Sequence, residues 1–275
     1  MGIKKLAKLP KRKIGLALSS GAARGLAHIG VLDVLEKEGI PIDMIAGTSM
    51  GALIGALYAQ GKSADQIKDL AMEWGSKRFS LLADPALPKT GLVKGRKIKN
   101  MLKSIIGDIE FGNLKLPFAC VATDINSGEE VVIKQGLVWE GVMASVSIPI
   151  MFTVAKRKGK YLVDGGLVNP VPASVVREMG ADFIIAMNMA SSISGRLHEV
   201  DKEPSIFNVI MQTINISSYR VVKQSLLEAD VVIEPQVESI GYFDFQRVQE
   251  CILQGELAAK ASMLEIKRKL KSLDS

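Results

Sequence analysis

The fold is decided by one stretch of the chain, Ile42-Asp-Met-Ile-Ala-Gly-Thr-Ser-Met-Gly-Ala-Leu-Ile-Gly-Ala-Leu-Tyr-Ala59. Its pattern predicts a strand over 42–46, an abrupt turn over 47–51 and a helix over 50–60. At such a corner the hydroxyl of Ser49 projects away from the backbone, and the helix N-terminus places unpaired N–H groups and a partial positive charge beside it. Gly47 and Gly51 flank the serine because side chains there would collide with the neighbouring strand and helix. The stretch therefore predicts a nucleophile.

A transmembrane helix is the alternative interpretation of the same stretch, with Gly51 and Gly55 as its packing face. Asp43 and the polar residues of the turn lie inside the run, and Pro41 opens it. These residues argue against a membrane span. We expect the small residues to let the helix lie close against a sheet.

Composition sets outer limits on the class of protein. With 48% hydrophobic residues among 275, the chain can bury a large core. The two cysteines, Cys120 and Cys251, show no paired spacing, which fits a reducing compartment and predicts a cytoplasmic protein. The two histidines, His28 and His198, leave little scope for a histidine-based metal site.

The net charge of +6 is concentrated at the beginning of the chain. Residues 1–13 contain six Lys and Arg and no acid. Removing them from the total of 35 leaves 29, equal to the 29 Asp and Glu. We therefore expect a basic arm over 1–13 and a single domain over 14–275. The arm either makes peripheral contact with an anionic membrane at its inner surface or stays solvated. The neutral body gives no sign of nucleic-acid binding.

Strand and helix patterns alternate along the chain. A buried-strand pattern at 14–18 leads through a Gly-rich loop into a helical pattern at 26–38. Further strands are predicted over 117–124, 130–133, 160–163, 183–187 and 230–233. Further helices are predicted over 63–77, 95–106, 138–147, 173–179, 205–228 and 246–271, the last with Leu253, Leu257, Ala261 and Leu264 at helical spacing. This alternation predicts a three-layer α/β/α fold with a mostly parallel central sheet.

The Gly-rich loop after the first strand has three interpretations. A dinucleotide site requires G-x-G-x-x-G, and Ser20 and Ala22 occupy two of those glycine positions. A plain tight turn is the second interpretation. The third is an oxyanion hole, in which the N–H groups of Gly21 and Ala22 point toward Ser49. Since only N–H groups are needed, an alanine is tolerable there.

Four motifs carry a resemblance to a known family. They are Ser20-Gly21-Ala22-Ala23-Arg24-Gly25, Gly47-Thr-Ser-Met-Gly51, Ala144-Ser145 leading to Ser147-Ile148-Pro149, and Asp164-Gly165-Gly166 followed by Asn169-Pro170-Val171-Pro172. In this order they resemble the patatin-like phospholipase family in its compact bacterial form. The likeness covers roughly residues 14 to 265.

The resemblance implies a lipid acyl hydrolase that acts on lipid or fatty-acyl esters without a metal or organic cofactor. It implies Ser49 as nucleophile, Asp164 as its partner and the Gly-rich loop as oxyanion hole. Six residues would support these motifs: Arg24, Gly25, Gly47, Gly51, Gly165 and Gly166. The loop departs from the family pattern, because Ser19, Ser20 and Ala22 replace glycines that are usual there.

Two other functions stay open. A Ser-Asp-His triad of Ser49, Asp164 and His198 matches the chain order of the α/β-hydrolases. Against it, only one strand precedes the strand of Ser49, and His198 lies in the polar loop 191–203. The other open function is that of a regulatory or lipid-binding protein of the same fold with weak catalysis.

Residues 79–95 lack periodicity and either pack over the core or form a lid. The head group, the acyl chain and the oligomeric state are left open.

Overall fold

The computed structural model describes residues 12–77, 95–189 and 206–273. The strands in these ranges are β1 (Ile14–Leu18), β2 (Met44–Thr48), β3 (Phe118–Asp124), β4 (Glu130–Ile133), β5 (Ala155–Arg157), β6 (Lys160–Asp164), β7 (Phe183–Met187) and β8 (Val231–Ile233). The α-helices are α1 (Ala27–Lys37), α2 (Met50–Ala59), α3 (Ala64–Lys77), α4 (Gly95–Ile106), α5 (Val138–Ser145), α6 (Ala173–Glu178), α7 (Ile206–Leu226) and α8 (Val248–Leu273). Short 3-10 helices cover Ala22–Leu26, Phe111–Asn113, Gly165–Leu167 and Phe245–Arg247.

The central strands of the sheet are parallel. β1 lies between β2 and β7 and runs parallel to both. β3 continues the parallel sheet beyond β2, and β8 continues it beyond β7. β4 and β6 pair antiparallel with β3, and β5 pairs antiparallel with β6. The prediction of a mostly parallel sheet is confirmed, with the antiparallel strands gathered around β3.

The edges of β3 decide where the candidate site forms. Val121 pairs with Thr48 of β2, and the next residue, Ala122, pairs with Asp164 of β6. Both β3 residues also pair with β4. A strand residue has one neighbour on each edge of its strand, so β4 must lie along one edge of β3. The other edge of β3 is shared by β2 and β6, which lie end to end along it. β2 runs parallel to β3 and β6 antiparallel, so their carboxyl ends meet.

Helices cover both faces of the sheet. In β1, Leu16 and Leu18 belong to a large apolar cluster that includes α1, α2, α5 and α8. Ala17 belongs to a smaller cluster with side chains of α6 and with Val222 of α7. Because successive side chains of a strand point to opposite faces, these two clusters are the cores above and below the sheet. The three-layer α/β/α prediction is confirmed.

The helix α8 packs closely against α1. A Cβ placed on Gly30 would lie 2.0 Å from the carbonyl oxygen of Ile252, and one on Gly255 would lie 2.0 Å from that of Ala27. The two helices therefore touch through their backbones, which fixes α1 behind the Gly-rich loop that precedes it.

Several predictions fall on residues outside the described ranges. They concern most of the basic arm, most of the segment 79–95 and His198 in the loop 191–203. The prediction that residues 79–95 either pack over the core or form a lid therefore falls mostly outside these ranges. The stretch 42–59 is a strand, a corner and the buried helix α2. In the described part of the chain, no helix has both the length and the apolar character needed to cross a bilayer.

Candidate active site

Ser49 occupies the corner between β2 and α2 with φ 56° and ψ −120°. This left-handed backbone conformation is strained for a residue with a side chain and is typical of a nucleophile held on a strand–helix turn. The flanking glycines are required by close contacts. A Cβ on Gly47 would lie 2.4 Å from the carbonyl oxygen of Gly51, and one on Gly51 would lie 2.2 Å from that of Leu18.

Asp164 ends β6 and contacts Ser49 directly. Ser49 Oγ donates to Asp164 Oδ2 at 2.6 Å, and the N–H of Gly166 donates to Oδ1 at 2.8 Å. A Cβ on Gly165 would lie 2.3 Å from the carbonyl oxygen of Val121. The glycine therefore lets the chain turn against β3 immediately after the aspartate. Both carboxylate oxygens have a donor, and one of these donors is the candidate nucleophile.

Burial makes the Asp164 carboxylate more basic. Loss of hydration raises its pKa to about 6, against the opposing effect of the bonds from Ser49 and Gly166. Burial in a low-dielectric site disfavours the charged form of a carboxyl group. A carboxylate with a pKa near 6 is ionised at neutral pH and accepts a proton more readily than an ordinary aspartate does.

The Gly-rich loop presents two N–H groups beside Ser49. The N–H of Ser20 donates to Pro170 O at 2.8 Å, and that of Ala23 donates to Tyr242 O at 3.0 Å. Within the described ranges, the N–H groups of Gly21 and Ala22 donate to no protein acceptor. Both residues line a cavity together with Ser49. Ala22 holds a left-handed φ of 48°, where the family pattern has a glycine.

Arg24 ties this loop to the segment 238–242. Its Nε donates to Ile240 O at 2.7 Å and its Nη2 to Glu238 O at 3.2 Å. Its Nη1 donates to the hydroxyl of Tyr242 at 3.2 Å, and the guanidinium stacks 4.2 Å from the centre of that ring. Gly25 packs against Met50, since a Cβ there would lie 2.6 Å from Met50 Cγ. Through these contacts, Arg24 and Gly25 hold the Gly-rich loop in place.

Two cavities border Ser49, each with about 550 Å³ of empty space including the open mouth. The mixed cavity has polar groups from Ser20, Asn215, Ser218 and Tyr242 beside apolar ones. The apolar cavity is lined by Ala22, Ser49, Met50, Leu53, Ile98, Met101, Leu102, Val146, Ile148, Phe152, Phe243 and Phe245. A further apolar cavity lies between α2, α3 and α4 and shares Met50, Leu53, Met101 and Phe245 with the apolar cavity.

His28 does not join the Ser49–Asp164 contact. His28 is fully buried in α1, and its Nε2 bonds to Ser19 O at 2.9 Å. Burial lowers its pKa to about 4, against the raising effect of that bond. His198 lies outside the described residues. A triad places an imidazole between the two residues, whereas here serine and aspartate touch.

Sequence reasoning missed three side chains of the site. Asn215 of α7 donates to the hydroxyl of Tyr242, and both line the mixed cavity. No motif marks either of them. Ser145 belongs to the Ala144-Ser145 motif, to which the sequence assigns no role, and its Oγ accepts the N–H of Ser49 at 2.8 Å.

Comparison with known proteins assigns the family. The family model described as patatin-like phospholipase matches residues 16–177. The match covers more than half of the chain and includes the corner of Ser49, the Gly-rich loop and Asp164. The chain belongs to the patatin-like phospholipase family.

The chain is similar to much longer proteins. It is 38% identical over 183 residues to patatin-like phospholipase domain-containing protein 6 of Homo sapiens, covering 65% of this chain and 13% of that protein. It is 36% identical over 188 residues to neuropathy target esterase sws of Drosophila melanogaster, covering 66% and 13%. An uncharacterised NTE family protein of Mycobacterium tuberculosis is 34% identical over 194 residues, with coverages of 70% and 53%. The chain thus spans about half of the mycobacterial relative and a small part of the animal ones.

A solved structure supports the fold. VipD from Legionella pneumophila superposes with a TM-score of 0.52 at 14% sequence identity, covering 90% of this chain and 67% of that one. At this identity the likeness concerns the fold alone.

Proposed function

We propose that this protein is a lipid acyl hydrolase, with Ser49 as nucleophile and Asp164 as the base that activates it. The observation that carries the proposal is the 2.6 Å contact between Ser49 Oγ and Asp164 Oδ2 at the edge of an apolar cavity. Membership of the patatin-like phospholipase family supports a lipid substrate.

The proposed reaction is acyl transfer through a covalent intermediate. Ser49 Oγ attacks the ester carbonyl carbon while its proton passes to Asp164 Oδ2. The negative charge that forms on the carbonyl oxygen is stabilised by the N–H groups of Gly21 and Ala22. Asp164 then gives the proton to the leaving alkoxide as the ester bond breaks. Water attacks the acyl-enzyme, Asp164 accepts its proton and returns it to Ser49 Oγ, and the fatty acid leaves.

Both cavities border Ser49, and we assign the acyl part of the ester to one and the alcohol part to the other. The apolar cavity suits the acyl chain, because burying each CH₂ group contributes about 0.8 kcal/mol. The further apolar cavity between α2, α3 and α4 shares lining residues with it and supports the assignment of a long acyl chain to this side. The mixed cavity suits the leaving alcohol, since Asn215, Ser218 and Tyr242 place hydrogen-bonding groups there. The substrate class is therefore an ester of a long-chain fatty acid with a polar alcohol.

Two experiments test the proposal. A fluorophosphonate probe should label the wild-type protein at Ser49, and peptide mapping should find no label in Ser49→Ala. Incubation with a panel of phospholipids, lysophospholipids and acylglycerols should release fatty acid that the same variant does not release. Binding of lipid without release, and without labelling, would favour the regulatory or lipid-binding alternative.

Two expectations about location remain proposals of ours. The buried free thiols of Cys120 and Cys251 fit a reducing compartment such as the cytoplasm. Contact with an anionic membrane is assigned to the basic arm, most of which lies outside the described residues.

A further inference from the structure

The motif Ala144-Ser145 has no role in the reaction as proposed. Ser145 is the last residue of α5, and its side chain is fully buried. Its Oγ accepts the backbone N–H of Ser49 at 2.8 Å, across 96 residues of chain. A buried hydroxyl aimed at the amide of the candidate nucleophile is an arrangement that packing alone does not require.

The same segment also contacts the other member of the pair. The carbonyl oxygen of Ser147 accepts the backbone N–H of Asp164 at 2.9 Å. The 145–147 segment therefore holds Ser49 through a side chain and Asp164 through its main chain. One short piece of chain thus touches both residues at the point where β2 and β6 meet.

Ser49 depends on this contact more than an ordinary residue does. Its φ of 56° is a conformation that persists only where the surroundings impose it. Its carbonyl oxygen is held by α2, because it accepts the N–H groups of Ala52 and Leu53. Its N–H lies on the other side of the strained torsion, and Ser145 Oγ is the acceptor that holds it. With both sides fixed, Oγ is aimed at Asp164.

We propose that Ser145 is a positioning residue, which holds the strained backbone of Ser49 so that its hydroxyl points at Asp164. It touches neither substrate nor reacting atoms in this role. The inference rests on the proposed function, since it concerns the alignment of the same nucleophile. It also implies that the N–H of Ser49 is occupied and takes no part in stabilising the oxyanion.

Ser145→Ala tests the inference, with Ser147→Ala as a matched control. Both substitutions remove a buried serine hydroxyl from the same segment. The hydroxyl of Ser147 donates to Met143 O at 2.7 Å, and its substitution leaves the main-chain bond to Asp164 in place. On a soluble short-chain ester, Ser145→Ala should lower kcat by about 10- to 100-fold, the size expected for a small misplacement, with KM nearly unchanged. The kcat of Ser147→Ala should stay at least about tenfold above the kcat of Ser145→Ala.

The pH profile separates positioning from simple loss of structure. The bond from Ser49 lowers the pKa of Asp164, so a misdirected hydroxyl should move the acid limb of kcat/KM to higher pH. This shift is expected in Ser145→Ala and not in Ser147→Ala. The rate of fluorophosphonate labelling at Ser49 should fall in proportion to kcat.

Ser145→Cys provides a second variant that keeps the packing. Sulfur is a weaker acceptor than oxygen, so this variant should give a kcat between those of the wild type and Ser145→Ala. Equal kcat in Ser145→Ala and Ser147→Ala, or a folded Ser145→Cys with wild-type kcat and acid limb, would overturn the inference alone. A wild type that hydrolyses no ester and takes up no phosphonate would overturn the proposed function and this inference with it.

Discussion

Ser49 and Asp164 are 115 residues apart in the chain, and their side chains are joined by a hydrogen bond of 2.6 Å. β3 sets this distance. Thr48, immediately before the serine, pairs with Val121, while Asp164 pairs with the next residue, Ala122. The two cannot separate unless the ladder of β3 breaks. A rigid sheet, and not a loop, therefore aligns the proposed nucleophile and base.

The first prediction concerns the proposed base. Asp164→Asn keeps an oxygen for the N–H of Gly166 but cannot accept a proton, so kcat/KM should fall by at least about 1,000-fold. Ser49→Ala should cause a similar loss. The double variant should be no worse than either single one, because the two residues act as one unit.

Asp124→Asn is the control for this substitution. Asp124 is also a buried aspartate at a strand end, but it pairs with Lys160 at 3.2 Å and is absent from both cavity linings. Its variant should keep kcat/KM within a few-fold of the wild type. If Asp164→Asn were as active as Asp124→Asn, Asp164 would not be the base.

The second prediction is the pH dependence of activity. The base must be ionised, and the pKa of Asp164 is raised to about 6 by burial. The value of kcat/KM should therefore fall about tenfold per pH unit below about pH 6 and level off above it. His28 cannot produce this limb, because burial lowers its pKa to about 4. Glutamine retains an N–H donor at this position, so His28→Gln should show the same fall of kcat/KM at low pH. A limb that disappears in that variant would assign it to the imidazole.

The third prediction is the pH dependence of stability. The folded protein holds the Asp164 proton to about pH 6, whereas an unfolded aspartate loses it near pH 3.9. Since the folded state binds more protons in this window, this group lowers the free energy of unfolding as pH rises from about 4 to 6. Asp164→Asn removes the effect. Denaturant titrations should find it more stable than the wild type by about 2 to 3 kcal/mol at pH 8, and this advantage should vanish near pH 4. A difference that does not vary with pH would contradict the raised pKa.

The fourth prediction separates the cavities. Met101 lines the apolar cavity and Met211 lines the mixed one, so Met101→Trp and Met211→Trp add the same bulk to different cavities beside Ser49. Met101→Trp should lower hydrolysis of a p-nitrophenyl palmitate by at least about tenfold relative to the butyrate, because the long chain loses its space. Met211→Trp should leave this ratio unchanged and lower hydrolysis of esters with a large alcohol. The reverse pattern would exchange the two assignments.

The fifth prediction concerns the basic arm. Deleting residues 1–12 should weaken binding to anionic vesicles in a sedimentation assay at low salt, since each basic residue near a charged surface contributes about 1 kcal/mol. Lys13 stays, because its main chain bonds to Asp182 and Phe183 at the start of β7. Hydrolysis of a soluble ester should not change. Equal vesicle binding by both forms would leave the arm as a solvated tail.

Local signals predicted much of the fold. The strand–turn–helix around Ser49 and the alternation of strands and helices follow from apolar runs and glycines that are close in sequence. The boundaries moved by a few residues, so that β2 covers Met44–Thr48 where a strand over 42–46 was expected. The short strand β5 was missed, because its residues Ala155–Arg157 are partly exposed and carry no apolar run.

The last helix shows what helical spacing cannot decide. Leu253, Leu257 and Leu264 recur at helical spacing, yet each is at least half exposed. The buried face of α8 carries instead Ile252, Gly255, Ala259, Met263 and Ile266, and at Gly255 the contact with the backbone of α1 leaves no room for a side chain. The spacing of the leucines predicted the helix, but packing against α1 determined which of its faces is buried.

The sequence by itself determined the corner of Ser49, the Gly-rich loop and the acidic strand end at Asp164, because each depends on residues within a few positions of one another. Only the tertiary structure decided that the ends of β2 and β6 meet along one edge of β3, and that Ser145 and Tyr242 reach the same site. Strand pairing, the docking of α5 and the contact between Arg24 and the 238–242 segment join residues that are distant in the chain. Their free energy comes from contacts between elements, which no local pattern records.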